Sequence, residues 1–270
     1  MWIDTHCHLD AHEFSGEHLA IADVAAGQGV GMIVVPAVAA DNFSTVAALA
    51  AQRSNCCYAL GIHPLYVAQA GDADLAILRQ AIEQSLGDSR FVAIGEIGLD
   101  FFVPELQQGL LREKQEYFYS EQLKLAREFA LPVLLHVRRS QDIILKYLRR
   151  IATPGGIAHA FNGSFQQAEA FVELGFKLGF GGAMTFPRSL QIRRLAAQMP
   201  LASIVLETDA PDISPAWLHP ARNTPDQIPR IGEVLAALRA MPLEQVAQHT
   251  ANNARTVLPR MAAYLDTAVS

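Results

Sequence analysis

Eight short apolar runs punctuate this chain, and longer stretches of helical spacing separate them. The runs cover residues 2–5, 32–35, 58–62, 91–94, 133–136, 156–159, 176–180 and 203–206. Between the fifth run and the one before it, Tyr119, Leu123, Ala126 and Ala130 keep one helix face apolar at i, i+4, i+7 and i+11. Ile228, Ile231, Leu235 and Leu238 do the same, behind Thr224-Pro225 as N-cap and first helical residue. Strands that alternate with helices predict βαβ units and a parallel sheet. Runs apolar throughout suit strands covered on both faces. Eight units favour an α/β fold closed into a (β/α)8 TIM barrel, for which 270 residues suffice. An open doubly wound sheet is the rival reading of the same alternation. No repeat, low-complexity tract or Pro/Gly linker divides the chain, so residues 1–270 are expected to form a single domain. Extra C-terminal helices after Asp209 are expected on the outside of the barrel.

Polar residues close several of the runs. His6 and His8 end the first, and their i, i+2 spacing puts both on one side of an extended chain, with Cys7 on the other. Glu96 follows the fourth run, His136 ends the fifth, His159 ends the sixth and Asp209 follows the eighth. In a parallel barrel the C-terminal strand ends share one face, so these six groups converge. One strand-end histidine is ordinarily a hydrogen-bonded structural residue. Six polar groups together would each be desolvated without a partner. Four imidazoles and two carboxylates exceed what one zinc ion takes and suit two metal ions sharing a carboxylate. His63, in Gly61-Ile62-His63-Pro64, ends the third run and is left ambiguous between a structural and a functional group. His12, His18, His219 and His249 lie in polar or helical stretches and read as surface residues.

Charge and cysteine content narrow the function further. With 21 basic and 27 acidic residues the net charge is −6. That excludes a protein that coats nucleic acid by charge alone. It leaves phosphate esters open, since bound metal supplies local positive charge. Cys7, Cys56 and Cys57 do not make a disulfide framework, which points to a reducing, cytoplasmic setting, and Cys56 and Cys57 read as core. No run approaches the roughly 18 apolar residues of a membrane span, and Met1–His6 lacks the pattern of a signal peptide.

The motifs Ile3-Asp4-Thr5-His6-Cys7-His8-Leu9-Asp10, Gly61-Ile62-His63-Pro64, Gly95-Glu96-Ile97-Gly98-Leu99-Asp100, Leu135-His136, His159-Ala160-Phe161-Asn162-Gly163-Ser164 and Glu207-Thr208-Asp209-Ala210-Pro211 resemble the TatD metal-dependent deoxyribonucleases of the amidohydrolase superfamily. The segment from Gly181 to Arg188 looks like the YjjV-type branch. Asn162 and Ala160 depart from the serine and cysteine common there; neither is a presumed ligand. The resemblance implies that His6, His8 and Asp209 hold a first divalent ion, and His136 and His159 a second. It implies that Glu96 bridges them and that Asp209 accepts the proton of an activated water. The ions implied are zinc, manganese, nickel or magnesium. Gly95 and Gly98 would let the backbone approach closely.

The expected reaction is hydrolysis of phosphodiester bonds in DNA or nucleotides, on single strands or chain ends, since a barrel mouth does not admit duplex interior. Stacking of bases on Phe101, Phe161 or Phe186 would assist. Arg138 is a candidate phosphate clamp. Ser164, in the capping box Ser164-Phe165-Gln166-Gln167, starts a helix whose N-terminus is a candidate phosphate site. His63 is expected to serve the substrate and not the metal, by a hydrogen bond to a phosphoryl oxygen or by protonating the leaving oxygen, and Glu207 to orient a ligand. The same ligand set would serve a hydrolase of a small amide, lactone or phosphoester. An inactive metal-binding scaffold is the reading of another class, which six intact candidate ligands argue against. No obligate protein partner and no membrane contact are indicated.

Overall fold

The computed structural model describes residues 1–268. Strands and helices alternate as β1 (Trp2–Asp4), α1 (His18–Gly27), β2 (Val30–Pro36), α2 (Phe43–Ala50), β3 (Cys56–Leu60), α3 (Asp72–Ser85), β4 (Phe91–Asp100), α4 (Gly109–Glu128), β5 (Val133–Arg138), α5 (Gln141–Leu148), β6 (Gly156–Ala158), α6 (Phe165–Glu173), β7 (Phe176–Phe180), α7 (Leu190–Gln198), β8 (Ile204–Leu206), α8 (Ile228–Arg239), α9 (Leu243–Val257) and α10 (Pro259–Ala268). All eight strands lie parallel in one sheet, in the order β1 to β8. The ends of the sheet meet where Thr5 N–H donates to Leu206 O (3.1 Å) and Asp209 N–H to His6 O (2.8 Å). The result is a (β/α)8 barrel, as the alternation predicts. Among the described residues no helix is long and apolar enough to cross a membrane.

Side chains along each strand sort by period two into two apolar layers. Trp2, Ile33, Val35, Cys56, Tyr58, Leu135 and Leu206 belong to the layer packed with α1–α8. Ile3, Met32, Val34, Cys57, Ala59, Leu134 and Val205 form the second layer, which also holds Ala251, Ala254 and Val257 of α9 and Met261, Tyr264 and Leu265 of α10. The last two helices therefore pack only in part on the outside of the barrel, as the sequence suggests: Val246 and Ala247 of α9 join the outer layer, while the rest of α9 and α10 pack against interior residues. They cover the N-terminal strand ends. Asn253 Nδ2 donates to Leu201 O and Ile204 O at 2.7 Å each, and Arg260 donates to Leu86 O (2.9 Å) and Asp88 O (2.8 Å), just ahead of β4. An amphipathic helix declares that it has an apolar face but not which apolar surface receives it.

Two local expectations are also revised. Thr224 heads a single 3-10 turn, Pro225–Gln227, with no side-chain capping bond, and α8 begins only at Ile228. β4 does not stop at Ile94 but continues to Asp100, so Glu96 lies inside the strand.

Candidate metal centre

The strand ends bring the predicted groups together at the C-terminal mouth. Asp4, buried at the end of β1, accepts hydrogen bonds from His6 N–H (3.2 Å), Thr208 N–H (2.9 Å) and Thr208 Oγ1 (2.6 Å). It thereby ties the segment after β1 to the segment after β8. His6 and His8 then face one side, their Nε2 atoms 3.4 Å apart, while Cys7 joins the outer apolar layer. Asp209 Oδ1 stands 3.7 Å from each of these Nε2 atoms.

Glu96 reaches the centre through a bulge. Ile94 pairs with Val133 and Ile97 with Leu135, so β4 spends three residues where β5 spends two. The extra residue shifts the alternation and aims Glu96 inward, where it is 1% exposed. Both flanking glycines are required by close approach: a Cβ on Gly95 would lie 2.6 Å from Leu134 Cβ, and one on Gly98 would lie 2.1 Å from His136 O. The two carboxylate oxygens serve different neighbours. Oε2 lies 3.0 Å from His6 Nε2 and 3.3 Å from His8 Nε2. Oε1 lies 2.9 Å from His136 Nδ1, 3.4 Å from His63 Nε2 and 3.6 Å from His159 Nε2.

Three groups have ligand atoms mutually within 4.8 Å: His6–His8–Asp209, His6–Glu96–His159 and His63–Glu96–His136. The first matches the set implied for one ion. The second expected set is divided: the His159 ring stacks on His6 at 3.9 Å, while the His136 and His159 centroids are 6.1 Å apart. His63 comes within ligand reach, yet its Nδ1 accepts a hydrogen bond from Leu65 N–H (3.2 Å). In the neutral ring that leaves the proton on Nε2, which makes His63 a donor toward Glu96 and His136 and not a lone-pair ligand. Burial keeps the ring neutral, pushing its pKa down to about 4.

Other carboxylates hold the imidazoles from behind. His136 Nε2 lies 2.9 Å from Asp100 Oδ2, while Asp100 Oδ1 accepts from Phe102 N–H (2.8 Å) and Val103 N–H (3.0 Å). Glu207 Oε1 stands 3.3 Å from His159 Nδ1, as expected of an orienting group. Carboxylates behind histidines are the usual support of metal ligands. Burial lowers the pKa of every imidazole here. In His8 it is overcome by Glu96 and Asp209, which carry the ring up to about 9; in His159, Asp209, Glu207 and Glu96 carry it to about 10. Burial instead wins at His6, pushed down to about 3. Burial also raises Asp209, to about 6. A donor set of imidazole nitrogens and carboxylate oxygens, holding protons at positions a cation would take, fits divalent metal.

The substrate-side candidates lie further out. Arg138 is exposed, with its Nη1 3.9 Å from Asp100 Oδ2. Ser164 forms the predicted capping box, accepting from Gln167 N–H (3.1 Å) while Gln167 Oε1 accepts from Ser164 N–H (2.9 Å). Its hydroxyl is thus committed to the helix. Phe161 is buried and packs edge-on to Phe171, so it offers no free face for a base. Of the other histidines, His12, His219 and His249 are exposed, while His18 is half-buried with Nδ1 2.7 Å from Leu9 O. All three cysteines are free and buried. The sequence reading missed Asp4 and Asp100 as supports, though both lie in motifs beside ligands. It also missed Gln115 and Gln122 on α4, for which no spacing signal exists.

The family model described as TatD related DNase matches residues 3–259. An uncharacterized metal-dependent hydrolase, YjjV of Escherichia coli K12, is 44% identical over 95% of this chain and 97% of its own. The 3'-5' ssDNA/RNA exonuclease TatD of Yersinia pseudotuberculosis is 31% identical over 94% of this chain and 98% of its own. The solved structure of the Escherichia coli YjjV protein superposes with a TM-score of 0.90, covering 96% of this chain and 98% of that one. An organophosphorus hydrolase from Deinococcus radiodurans, 13% identical over 95% of this chain and 92% of its own with a TM-score of 0.65, shares the barrel fold. With both ends of its motif series gathered at one barrel mouth and a family model spanning nearly its whole length, the chain belongs to the TatD family of metal-dependent hydrolases.

Proposed function

We propose that this hydrolase cleaves phosphodiester bonds of single-stranded or terminal nucleic acid with two divalent ions. The observation that carries the reading is the division of Glu96: one oxygen faces His6 and His8, the other faces His136, His63 and His159. A carboxylate so placed would serve two cations, one through each oxygen. His6, His8 and Asp209 would complete one side and His136 the other, with His159 reaching Oε1 at 3.6 Å from its stack on His6. Bound ions would lower the pKa of a water and neutralise charge on the phosphoryl group. Asp209, with Oδ1 3.7 Å from both His6 Nε2 and His8 Nε2, is placed to accept a proton from the attacking water. His63, with its proton on Nε2, is placed to give a hydrogen bond to the leaving oxygen. A relative named as an ssDNA/RNA exonuclease supports nucleic acid as the substrate.

The test compares single-stranded DNA, RNA, lactones and small phosphoesters across zinc, manganese, nickel and magnesium, before and after chelation. Phosphodiester cleavage should vanish on chelation and return with metal. Undiminished turnover by verified metal-free protein sinks the reading. Glu96→Ala should lose both ions, while His136→Ala retains the one on the His6 side; equal metal loss in the two variants contradicts the bridge.

A further inference from the structure

β4 and β5 end beside each other at the mouth, and three exposed side chains meet there. The Arg138 guanidinium lies 3.8 Å from the centroid of Phe102, and that of Arg139 lies 4.6 Å from the same centroid. Phe102 is 43% exposed. Successive residues of an extended strand point to opposite faces. Arg138 and Arg139 escape that rule because Arg139 has φ +55°, a left-handed conformation that side chains with a Cβ rarely adopt. The turn at Arg139 is what brings the two cations to one ring.

Their charge is largely uncompensated. Asp100 stands 3.9 Å from Arg138, but its oxygens already serve His136, Phe102 N–H and Val103 N–H. Among the described residues Arg139 forms no ion pair or hydrogen bond. By contrast, Arg112, which lies over the neighbouring Phe101, is paired with Glu116 at 3.0 Å. A chain of net charge −6 thus keeps two adjacent guanidiniums at its mouth, one only loosely paired with Asp100 and the other without an ion pair among the described residues. Arg138 follows His136 by two residues on β5, a rise of about 7 Å along the strand. That places the pair beside the metal centre, at the reach of one further unit of substrate.

The geometry points to a second anion position, in which Arg138 and Arg139, oriented by Phe102, bind a phosphate next to the one being cleaved. Resting on the phosphodiesterase reading, it narrows the substrate to a chain bearing at least two phosphates, and disfavours isolated diesters, amides and lactones. Guanidinium suits this role because its planar fork binds phosphate oxygens in pairs. The aromatic ring limits the freedom the side chains must lose on binding.

The experiment uses the metal-loaded protein and dithymidine substrates with and without a terminal phosphate, at the 5′ or the 3′ end. The quantity read is the ratio of kcat/KM for the phosphorylated and unphosphorylated forms. In the unmodified protein one end should give a ratio of about ten or more, the scale of a charge-assisted hydrogen bond. Arg139→Gln and Arg138→Gln should bring it near one. A ratio near one in the unmodified protein, or a ratio unchanged by both variants, overturns the proposal. Calorimetric binding of dithymidine methylphosphonate, with and without the same terminal phosphate, reads the position without cleavage. If no diester is hydrolysed yet the phosphate still tightens binding in the unmodified protein and not in Arg139→Gln, only the phosphodiesterase reading fails. Equal affinities in both proteins overturn the anion position itself.

Discussion

His63 stands 3.0 Å from His136 Nδ1 and 3.4 Å from Glu96 Oε1, yet Leu65 N–H occupies its Nδ1. Proximity alone would count it among the ligands; the direction of one backbone hydrogen bond makes it a donor. His63→Ala should therefore keep its metal and lower turnover by roughly 10²-fold, the scale of one lost hydrogen-bond donor to developing charge. Metal analysis beside steady-state kinetics checks this, and loss of an ion on substitution would make His63 a ligand after all. The same ring should leave a mark on acid stability. Burial holds its folded pKa at about 4, below the 6.5 of a free imidazole. Its contribution is then complete above pH 6.5 and is lost as pH falls through about 4. Between pH 7 and 4 the metal-free protein should lose on the order of 3 kcal/mol more stability than His63→Gln does. Parallel urea unfolding curves across that range would contradict the assignment.

At the scale of elements, α4 carries two buried glutamines seven residues apart. Gln122 accepts from Ile62 N–H (2.7 Å) and donates to Ile62 O (3.0 Å); Gln115 accepts from Asp100 N–H (2.9 Å) and donates to Asp100 O (3.2 Å). Each amide stands in for a neighbouring strand, one beside His63 and one at the support of His136. Gln122→Leu would strand both polar groups of Ile62 and should cost about 2–4 kcal/mol, read as a lowered denaturant midpoint; a change within experimental scatter would show the clasp to be dispensable. Such contacts join a helix residue to backbone atoms far away in sequence, so nothing in the order of residues announces them. What the order does announce is burial: all eight strands lie on or beside the apolar runs because strands covered on both faces leave continuous apolar stretches. His6, His8, His136, His159 and Asp209 were legible because polar groups ending such stretches need partners. Glu96 was legible as a group but not in its setting. The bulge that turns it inward depends on Leu134 and His136 of the adjacent strand.

For the molecule as a whole, the two ends of the barrel divide the work. The candidate ligands and the arginines occupy the C-terminal end, while α9 and α10 cover the N-terminal one. Met261, fully buried in that seal, is far from the chemistry in role as well as place. Met261→Ala should destabilise the fold by about 2–5 kcal/mol, the usual cost of emptying such a position, without altering KM for a diester. Thermal unfolding and kinetics measured together decide it; a changed KM at unchanged stability would link the two ends. The seal escaped the sequence reading because the helical periodicity of residues 243–268 is satisfied equally by an outer layer and by a plug.

That plug has a consequence for traffic. Buried side chains fill the barrel interior above it, so whatever reaches the mouth must depart by the mouth. Under the proposed nuclease reading, each severed piece would obstruct the next approach until it left by the rim through which it came.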